Sequence, residues 1–500
     1  MAEKTTNSEI GKSIAQNVSV MMGAQIVTWG SSFLLLYFLP RYLGSEDFGR
    51  LYLALSIKMM LGLLIDFGGN YLIPKEVARS QAKGAKILSS YIMLRIFLWI
   101  LSIGIILLLS DLLGYSEHVH LLILILAVAK LWEGGTTALS AFFEGIEKME
   151  YPSIGKIVER VFVAFVAVGA LLLGADSIGV AIVMTVGALL NLIVIYWFSR
   201  RVVRLRYTFD TKIFSLFHSG MPFFLFSLFS VIYYRIDAMM LASLTTDQVT
   251  GWYGGAFRFF DIIMVLPLLY KTAIFPVFSK LWDNEDGVLE NTVSHSLRLM
   301  IILGIPTATV IFLFAEPIIH FFMGLSEFGP SVLVLQIFAL SIPIIYVDII
   351  LGSALMGAAN RQRAWAITGL FAIFINVGIN YVLIPYTQTT YGNGGLGAAV
   401  ATLITEIFVM GSAFFLLPKS YLQNFKSSYI FKPAAATIIT AIPVIVLLFY
   451  SSLYWMLTLI ISGVIYISAL FLLKTFDNKE LELIKDFISA SQKKLSLFTK

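Results

Sequence analysis

The feature that most constrains this chain is a succession of apolar stretches, each long enough to cross a bilayer as a helix. About 20 apolar residues, rising roughly 1.5 Å each, span a hydrocarbon core near 30 Å thick. At that window the candidate spans are 17–40, 48–73, 87–110, 119–143, 155–173, 177–198, 220–243, 250–275, 297–321, 331–355, 364–385, 395–417, 431–449 and 453–473. No water is present at that depth to bond an open backbone, so each span has to be helical. The expected fold class is therefore all-α, a polytopic membrane protein of about fourteen transmembrane helices. Composition agrees. The chain is 58% hydrophobic and 13% charged, with mean hydropathy +0.87, where a soluble domain carries roughly 25% charged residues.

Several function classes fall away at once. There is no cysteine, so disulfides, thiolate metal sites and cysteine nucleophiles are excluded. The five histidines are scattered without HxxxH or HExxH spacing, so neither a metal site nor a cofactor is expected. No Walker A sequence occurs, which argues against direct ATP drive. The N-terminal "MAEKTTNSEIGKSIAQ" is polar and lacks an apolar region followed by a cleavage site. No signal peptide is expected, and the first apolar stretch is retained as a helix.

The net charge of +5 and pI near 9.0 are explained by where the basic residues sit. One set of alternate connectors carries Lys75, Arg79, Lys83 and Lys86, then Lys148 and Lys156, then Arg200, Arg201, Arg204, Arg206 and Lys212. The same set continues with Lys280, Arg361, Arg363, Lys419, Lys426 and Lys432. The opposite set, near 113–118, 174–177, 244–250, 324–330, 386–394 and 450–452, has none, and Arg41 is the one exception. Basic loops stay in the cytoplasm. Both termini are thus expected there, in a multi-pass cell-membrane protein with no nucleic-acid partner.

The division expected along the chain is an N-terminal lobe at 1–198, a basic amphipathic cytoplasmic linker at 199–219 and a C-terminal lobe at 220–417. Accessory helices follow at 418–476, then a cytoplasmic tail helix at 477–500. The tail spaces Leu481, Ile484, Phe487 and Ile488 as an interfacial helix would, with lysines suited to lipid headgroups; a plain cytosolic cap helix fits as well. An internal echo supports two lobes. "EDFGRLY" (Glu46–Tyr52) enters the second span and "DQVTGWY" (Asp247–Tyr253) the eighth. A pattern that returns after six spans keeps the same orientation, as parallel repeats do.

Charged residues inside the spans are the candidate functional groups. An ionised side chain at the centre of a membrane helix costs at least about 2.5–3.5 kcal/mol, and such residues mark substrate or ion paths. Arg235 precedes the short loop 245–250 by about as many residues as Arg258 follows it, which puts both roughly 12 Å below the same surface. Through the echo, Lys58 falls one position from the counterpart of Arg258. Three cations at one level repel unless water or an anion lies between them, and a guanidinium fork suits phosphate oxygens. Arg95 is a further cation of this kind. Asp66, Asp237, Asp261, Asp348 and Glu406 are candidates for ion coupling or charge pairing. Arg258 and Asp261 share a helix face, as do Lys130 and Glu133. Glu159 and Arg160 complete the set. Prolines at 267, 306 and 343 lie inside spans, where kinks are expected.

With these residues in view, the chain resembles the polysaccharide-transporter branch of the multidrug/oligosaccharidyl-lipid/polysaccharide exporter superfamily, the O-antigen flippase type. The resemblance rests on "LPRYLGSEDFGRLYLALSI" (Leu39–Ile57) with "DFGGNYLIPKEVAR" (Asp66–Arg79), on "YYRIDAMMLASLTTDQVTGWYGGAFRFFD" (Tyr233–Asp261), and on Val334–Glu406. It implies two six-helix bundles around a central cavity with two C-terminal helices outside them, a MATE-like fold working by alternating access. The substrate it implies is a lipid-linked oligosaccharide, an isoprenoid diphosphate glycan, moved outward for polysaccharide biosynthesis. Arg235 and Arg258 would then hold the diphosphate or acidic sugars, with Lys58 and Arg95 as additions. Membrane lipids, a coupling proton or sodium ion, and glycan assembly enzymes are the implied partners.

Three other functions compete. A cation-coupled multidrug antiporter on the same fold would favour unpaired carboxylates over arginines. A peptidoglycan-precursor flippase would handle a similar lipid diphosphate. A membrane glycosyltransferase or polymerase would need large outer loops carrying acids and bases, and here those loops are a few residues long. The topology has a direct test. In this cysteine-free chain, Asp247→Cys should react with a membrane-impermeant thiol reagent on intact cells, and Val203→Cys only after permeabilisation.

Overall fold

The computed structural model describes residues 2–66, 69–202, 228, 231–282, 287–450 and 455–476. The expected linker, for the most part, and the expected tail helix lie outside the described residues. Among the described residues the chain is helical, with no strand. In chain order the helices are α1 (Ala2–Asp66), α2 (Gly69–Arg79), α3 (Gln81–Leu112), α4 (Glu117–Gly145), α5 (Glu150–Leu172) and α6 (Ser177–Ser199). A helix over 231–244, here α7, follows. Then come α8 (Asp247–Ile263), α9 (Val265–Leu281), α10 (Val288–Phe322), α11 (Leu325–Phe328) and α12 (Ser331–Asp348). A π-helical segment (Ile349–Leu355) leads to α13 (Met356–Ala358), α14 (Gln362–Tyr391), α15 (Gly394–Leu416), α16 (Ser428–Tyr450) and α17 (Trp455–Leu472). The chain is an all-α polytopic membrane protein. Eleven described helices are long and apolar enough to cross a membrane.

One of those eleven, Val20–Asp66, is 47 residues long, more than twice what a single crossing needs. It is two passes, because Gly44 leaves the helical region at φ 71°, ψ 176°. Only glycine takes that conformation without strain. The break falls between the first two expected spans. Three short connectors start their helices with side-chain caps. Ser116 accepts from Val119 N at 3.4 Å, Asp176 from Gly179 N at 2.9 Å, and Thr246 from Val249 N at 3.3 Å. Arg41, the basic residue in a set of loops otherwise without lysine or arginine, has its own explanation. It donates to the carbonyls of His320 (3.1 Å), Phe321 (2.6 Å) and Phe322 (3.3 Å) at the end of α10, a cation capping a helix C-terminus.

The chain divides into two compact units. The first comprises Met1–Phe259, Ile319–Val334 and Ala366–Thr405. In it α4 packs on α6, α1 and α3, and α5 on α1 and α6. Ile73, Val77, Leu88, Tyr91, Phe142 and Phe143 are buried together at its core. Polar pairs also hold it, such as Asn191 Nδ2 donating to Glu159 Oε2 at 2.7 Å.

The second unit comprises Phe260–Ile318, Leu335–Trp365 and Glu406–Lys500. Its expected prolines show how a membrane helix tolerates a missing backbone donor. A proline leaves the carbonyl four residues earlier without its helical partner, and in lipid another group has to supply the bond. Pro267 lies in the first turn of α9, and the Ile263 carbonyl accepts from the Tyr346 hydroxyl at 3.0 Å. Pro306 lies inside α10, and the Ile302 carbonyl accepts from Tyr466 of α17 at 2.7 Å. This bond ties one of the last two helices to α10, beside a contact of Ile302 with Ala436, Ala469 and Leu470. Tyr466→Phe should lower stability in detergent by about 1 kcal/mol. In a Pro306→Ala background, which returns the backbone N–H, the same change should cost less, as a double-mutant melting series would show.

Candidate functional site

The first unit gathers most of the intramembrane charge. Asp237 projects from α7 and is 3% exposed. Its Oδ2 accepts from the Tyr253 hydroxyl of α8 at 2.7 Å and from Thr402 Oγ1 of α15 at 2.8 Å. Its Oδ1 accepts from Asn380 Nδ2 of α14 at 2.6 Å, and Asn380 also bonds Asn376 Oδ1 at 2.9 Å. Tyr253, Asn376, Asn380 and Thr402 are themselves buried. One carboxylate thus draws three other helices around it. Its hydrogen bonds offset the loss of water that makes a bare buried charge so costly. The Asn380 Oδ1 has no hydrogen-bond partner among the described residues, so this nest still holds an unused acceptor oxygen.

Two residues before it, Arg235 is 8% exposed and stacks over the Phe257 ring at 5.1 Å. Arg258, half-buried on α8, lies over the Phe48 ring at 5.6 Å. Aromatic faces stabilise a desolvated cation through their quadrupole. The remaining predicted cations are tied to carboxylates. Lys58 Nζ is 2.5 Å from Glu133 Oε1, and Lys130 Nζ is 3.1 Å from Glu133 Oε2. Two lysines share one carboxylate, which leaves the group one positive charge in excess. Gly62 permits this, since a Cβ there would lie 2.6 Å from the Lys130 side chain. Arg95 is 3% exposed and forms an ion pair with Asp66. It also donates to the Gly134 carbonyl, and to Thr137 Oγ1 at 2.5 Å, over the Tyr91 ring at 4.4 Å.

In the second unit Asp348 is 8% exposed and sits just before the π-helical segment. It is within electrostatic reach of Lys271 on α9 and Glu406 on α15. Asp261 is exposed. The five carboxylate candidates have different surroundings within their own units. Asp237 stands in a neutral nest, Asp66 in an ion pair and Asp348 beside Glu406.

This arrangement, charged groups held at membrane depth by opposed helices, can be compared with known proteins. The family model described as "Polysaccharide biosynthesis protein" matches residues 14–282, more than half of the chain. The chain belongs to that family. A second model, MatE, matches residues 222–382. The Haloferax volcanii protein "Probable low-salt glycan biosynthesis flippase Agl15" is 25% identical over 406 residues, which cover 81% of this chain and 82% of that one. Among solved structures, the lipid II flippase MurJ in an inward closed conformation gives a TM-score of 0.72 at 16% identity, covering 91% of this chain and 98% of that one. An inward-facing multidrug resistance MATE family transporter of the MOP superfamily gives 0.65 at 15% identity, covering 80% and 96%. These structures share the polytopic helical fold. This member of the polysaccharide biosynthesis family is a membrane transporter of the flippase type, not an enzyme.

Reading the residues in order missed what surrounds Asp237. A signal was present in "INVGIN" (Ile375–Asn380), where Asn376 and Asn380 stand four apart in an apolar helix and so share a face. Glu133 was paired with Lys130 by spacing, but its second partner, Lys58, comes from another helix. Asp237→Ala should strand the buried Tyr253 hydroxyl, at about 1–3 kcal/mol, while Thr402 and Asn380 keep the Ala398 carbonyl and Asn376 as acceptors. The melting temperature in detergent should fall well below that of Asp261→Ala, whose carboxylate is exposed.

Proposed function

We propose that this protein moves the headgroup of a lipid-linked oligosaccharide, an isoprenoid diphosphate glycan, outward across the cytoplasmic membrane by cation-coupled alternating access. The observation that carries this reading is the placement of Arg235 and Arg258 on one helical hairpin, each cation held over an aromatic ring within the membrane. Stacking engages the face of a guanidinium, while phosphate oxygens are bound through its edge. A sugar headgroup cannot enter hydrocarbon, because each desolvated hydroxyl costs roughly 2–7 kcal/mol unless paired. A hydrated path past these arginines lets it cross while the isoprenoid tail remains in lipid. The excess positive charge of the Lys58, Lys130 and Glu133 group extends the same anion-favouring field. The glycan-flippase name of the Haloferax volcanii relative is consistent with this substrate class.

The residues divide by role. Arg235 and Arg258 bind the diphosphate, and Lys58 contributes charge. Arg95 with Asp66 is a structural tie, being enclosed and paired. Asp237 is the coupling site. A buried carboxylate beside the Asn380 carbonyl oxygen offers hard oxygen ligands to a proton or a sodium ion. Asp348, within electrostatic reach of Glu406, is a second candidate for coupling. The repeats are the lobes 1–198 and 220–417, with the helices of 418–476 accessory and both termini cytoplasmic, in the cell membrane beside the enzymes that assemble the glycan. Cationic drugs are disfavoured as cargo, since the two arginines would repel them.

Reconstituted into liposomes, the protein should carry a fluorescent isoprenoid-diphosphate oligosaccharide between leaflets. The double variant Arg235→Ala, Arg258→Ala should lose that activity by at least tenfold while inserting normally. Normal flipping by the double variant would remove the arginines from the mechanism. Sodium, compared with choline, should raise the melting temperature of the unaltered protein and leave that of Asp237→Asn unchanged if the coupling ion is sodium. With a proton as the coupling ion, flipping should instead follow an imposed pH gradient.

A further inference from the structure

The two echoing segments of the sequence lie against each other in the first unit, and they meet through glycine. A Cβ placed on Gly49 would lie 1.9 Å from the Asp247 carbonyl oxygen and 2.7 Å from the Gly251 nitrogen. A Cβ placed on Gly251 would lie 1.9 Å from the Ser45 carbonyl oxygen and 3.2 Å from the Gly49 nitrogen. Ser45 and Asp247 each precede their glycine by four residues, so the contact is reciprocal. Each helix presses a first-turn carbonyl onto the glycine of the other. One turn further on, a Cβ on Gly254 would lie 2.5 Å from the Tyr52 ring. Any side chain beyond hydrogen at Gly49 or Gly251 collides with backbone, which cannot swing aside as a long side chain can.

Glycine faces allow close approach, and in membranes they bind helices by packing without a hydrophobic drive. Such a seam is tight when shut, and parting it also draws Tyr52 from Phe257 and Phe48 from Arg258. A charged tie crosses it. Arg50 Nε is 2.8 Å from Asp247 Oδ2, and Arg50 Nη1 is 2.9 Å from Asp47 Oδ1, with Glu46 also paired to it. Arg50 has Asp47 and Glu46 as further partners on its own helix, so parting from Asp247 leaves its charge paired and makes the tie releasable. The seam lies next to connector 245–246, at the end of the helices away from the basic loops. The intramembrane cations Lys58 and Arg258 follow it on the same two helices.

We infer that Gly49 and Gly251 form a reciprocal clasp that shuts the transport path on its outer side, with Arg50 and Asp247 as the releasable latch. The inference rests on the transport reading above. The clasp is the pseudo-symmetric contact of the two repeats, and it opens when α8 and the second pass of α1 separate to release cargo outward.

The absence of natural cysteine makes the test clean. Ser56→Cys introduces a near-isosteric thiol at a residue 1% exposed, on the face that carries Ser45, Gly49 and Tyr52. Ala167→Cys, at a residue 0% exposed on α5, reports on packing elsewhere. In intact cells, adding Gly49→Ala or Gly251→Ala should speed labelling of Ser56→Cys by an impermeant thiol reagent about tenfold and leave Ala167→Cys protected. Unchanged labelling at both positions overturns the clasp. A parallel rise at both overturns it too, because the glycines would then serve the fold as a whole. In a second arm, Arg50→Cys with Asp247→Cys is joined by a short reducible bis-thiosulfonate. Joining should stop flipping and reduction should restore it; undiminished flipping in the joined protein overturns the proposal. Labelling needs no lipid substrate, so its failure counts against the clasp alone. Failure of the unaltered protein to flip any lipid-linked glycan counts against the transport reading.

Discussion

Every polar group that this chain carries into hydrocarbon has to find its partner inside the protein, and that requirement organises the rest. Lipid offers neither a hydrogen bond nor a dielectric to soften a charge. The carbonyls of Ile263 and Ile302, freed by Pro267 and Pro306, therefore recruit tyrosine hydroxyls from distant helices. Asp237 draws Tyr253, Asn380 and Thr402 onto one carboxylate, and Glu133 serves two lysines. Each of these contacts is as much an assembly rule as a functional device. It tells helices that are nearly indistinguishable in hydropathy which neighbour to take.

The same requirement is met in a different way by each ion. Arg95 is enclosed by an ion pair, a backbone carbonyl, a threonine and an aromatic ring. Both terminal nitrogens of its guanidinium are engaged in these contacts. Arg235 and Arg258 are stabilised through their faces by Phe257 and Phe48, a mode compatible with binding an anion through the guanidinium edge. The Asp237 nest differs again. It is a negative group among neutral donors, with a spare carbonyl oxygen, and so favours a cation. Anion-favouring and cation-favouring features share one compact unit, which is what coupling an ion to an anionic cargo would need.

Much of this was legible from residue order. The apolar spans, the break near Gly44 and the placement of prolines follow from local rules of length, backbone freedom and missing donors. That Arg235, Arg258 and Asp237 carry costly charge was also readable, since an ionisable residue in an apolar run is expensive wherever the helix packs. Their company was not. Lys58 meets Glu133 across 75 positions, and Asp237 meets Thr402 across 165, and no local spacing encodes such distances. The echo of Glu46–Tyr52 in Asp247–Tyr253 suggested a repeat, yet nothing in either segment said that the two would touch through Gly49 and Gly251.

The sequence by itself determined that this is a many-helix membrane protein and which residues bring costly charge into the bilayer. Hydrophobic length, loop charge and the desolvation cost of an ion are properties of a segment and its solvent. Only the tertiary structure decided what each of those charges meets, a carboxylate for Lys58 and Arg95 and an aromatic face for Arg235 and Arg258. It also decided that the two related segments close on each other. The reason is geometric: apolar helices pack on many faces with similar energy, so partners are chosen by a few polar and glycine contacts. Those contacts exist only once distant parts of the chain have been brought together.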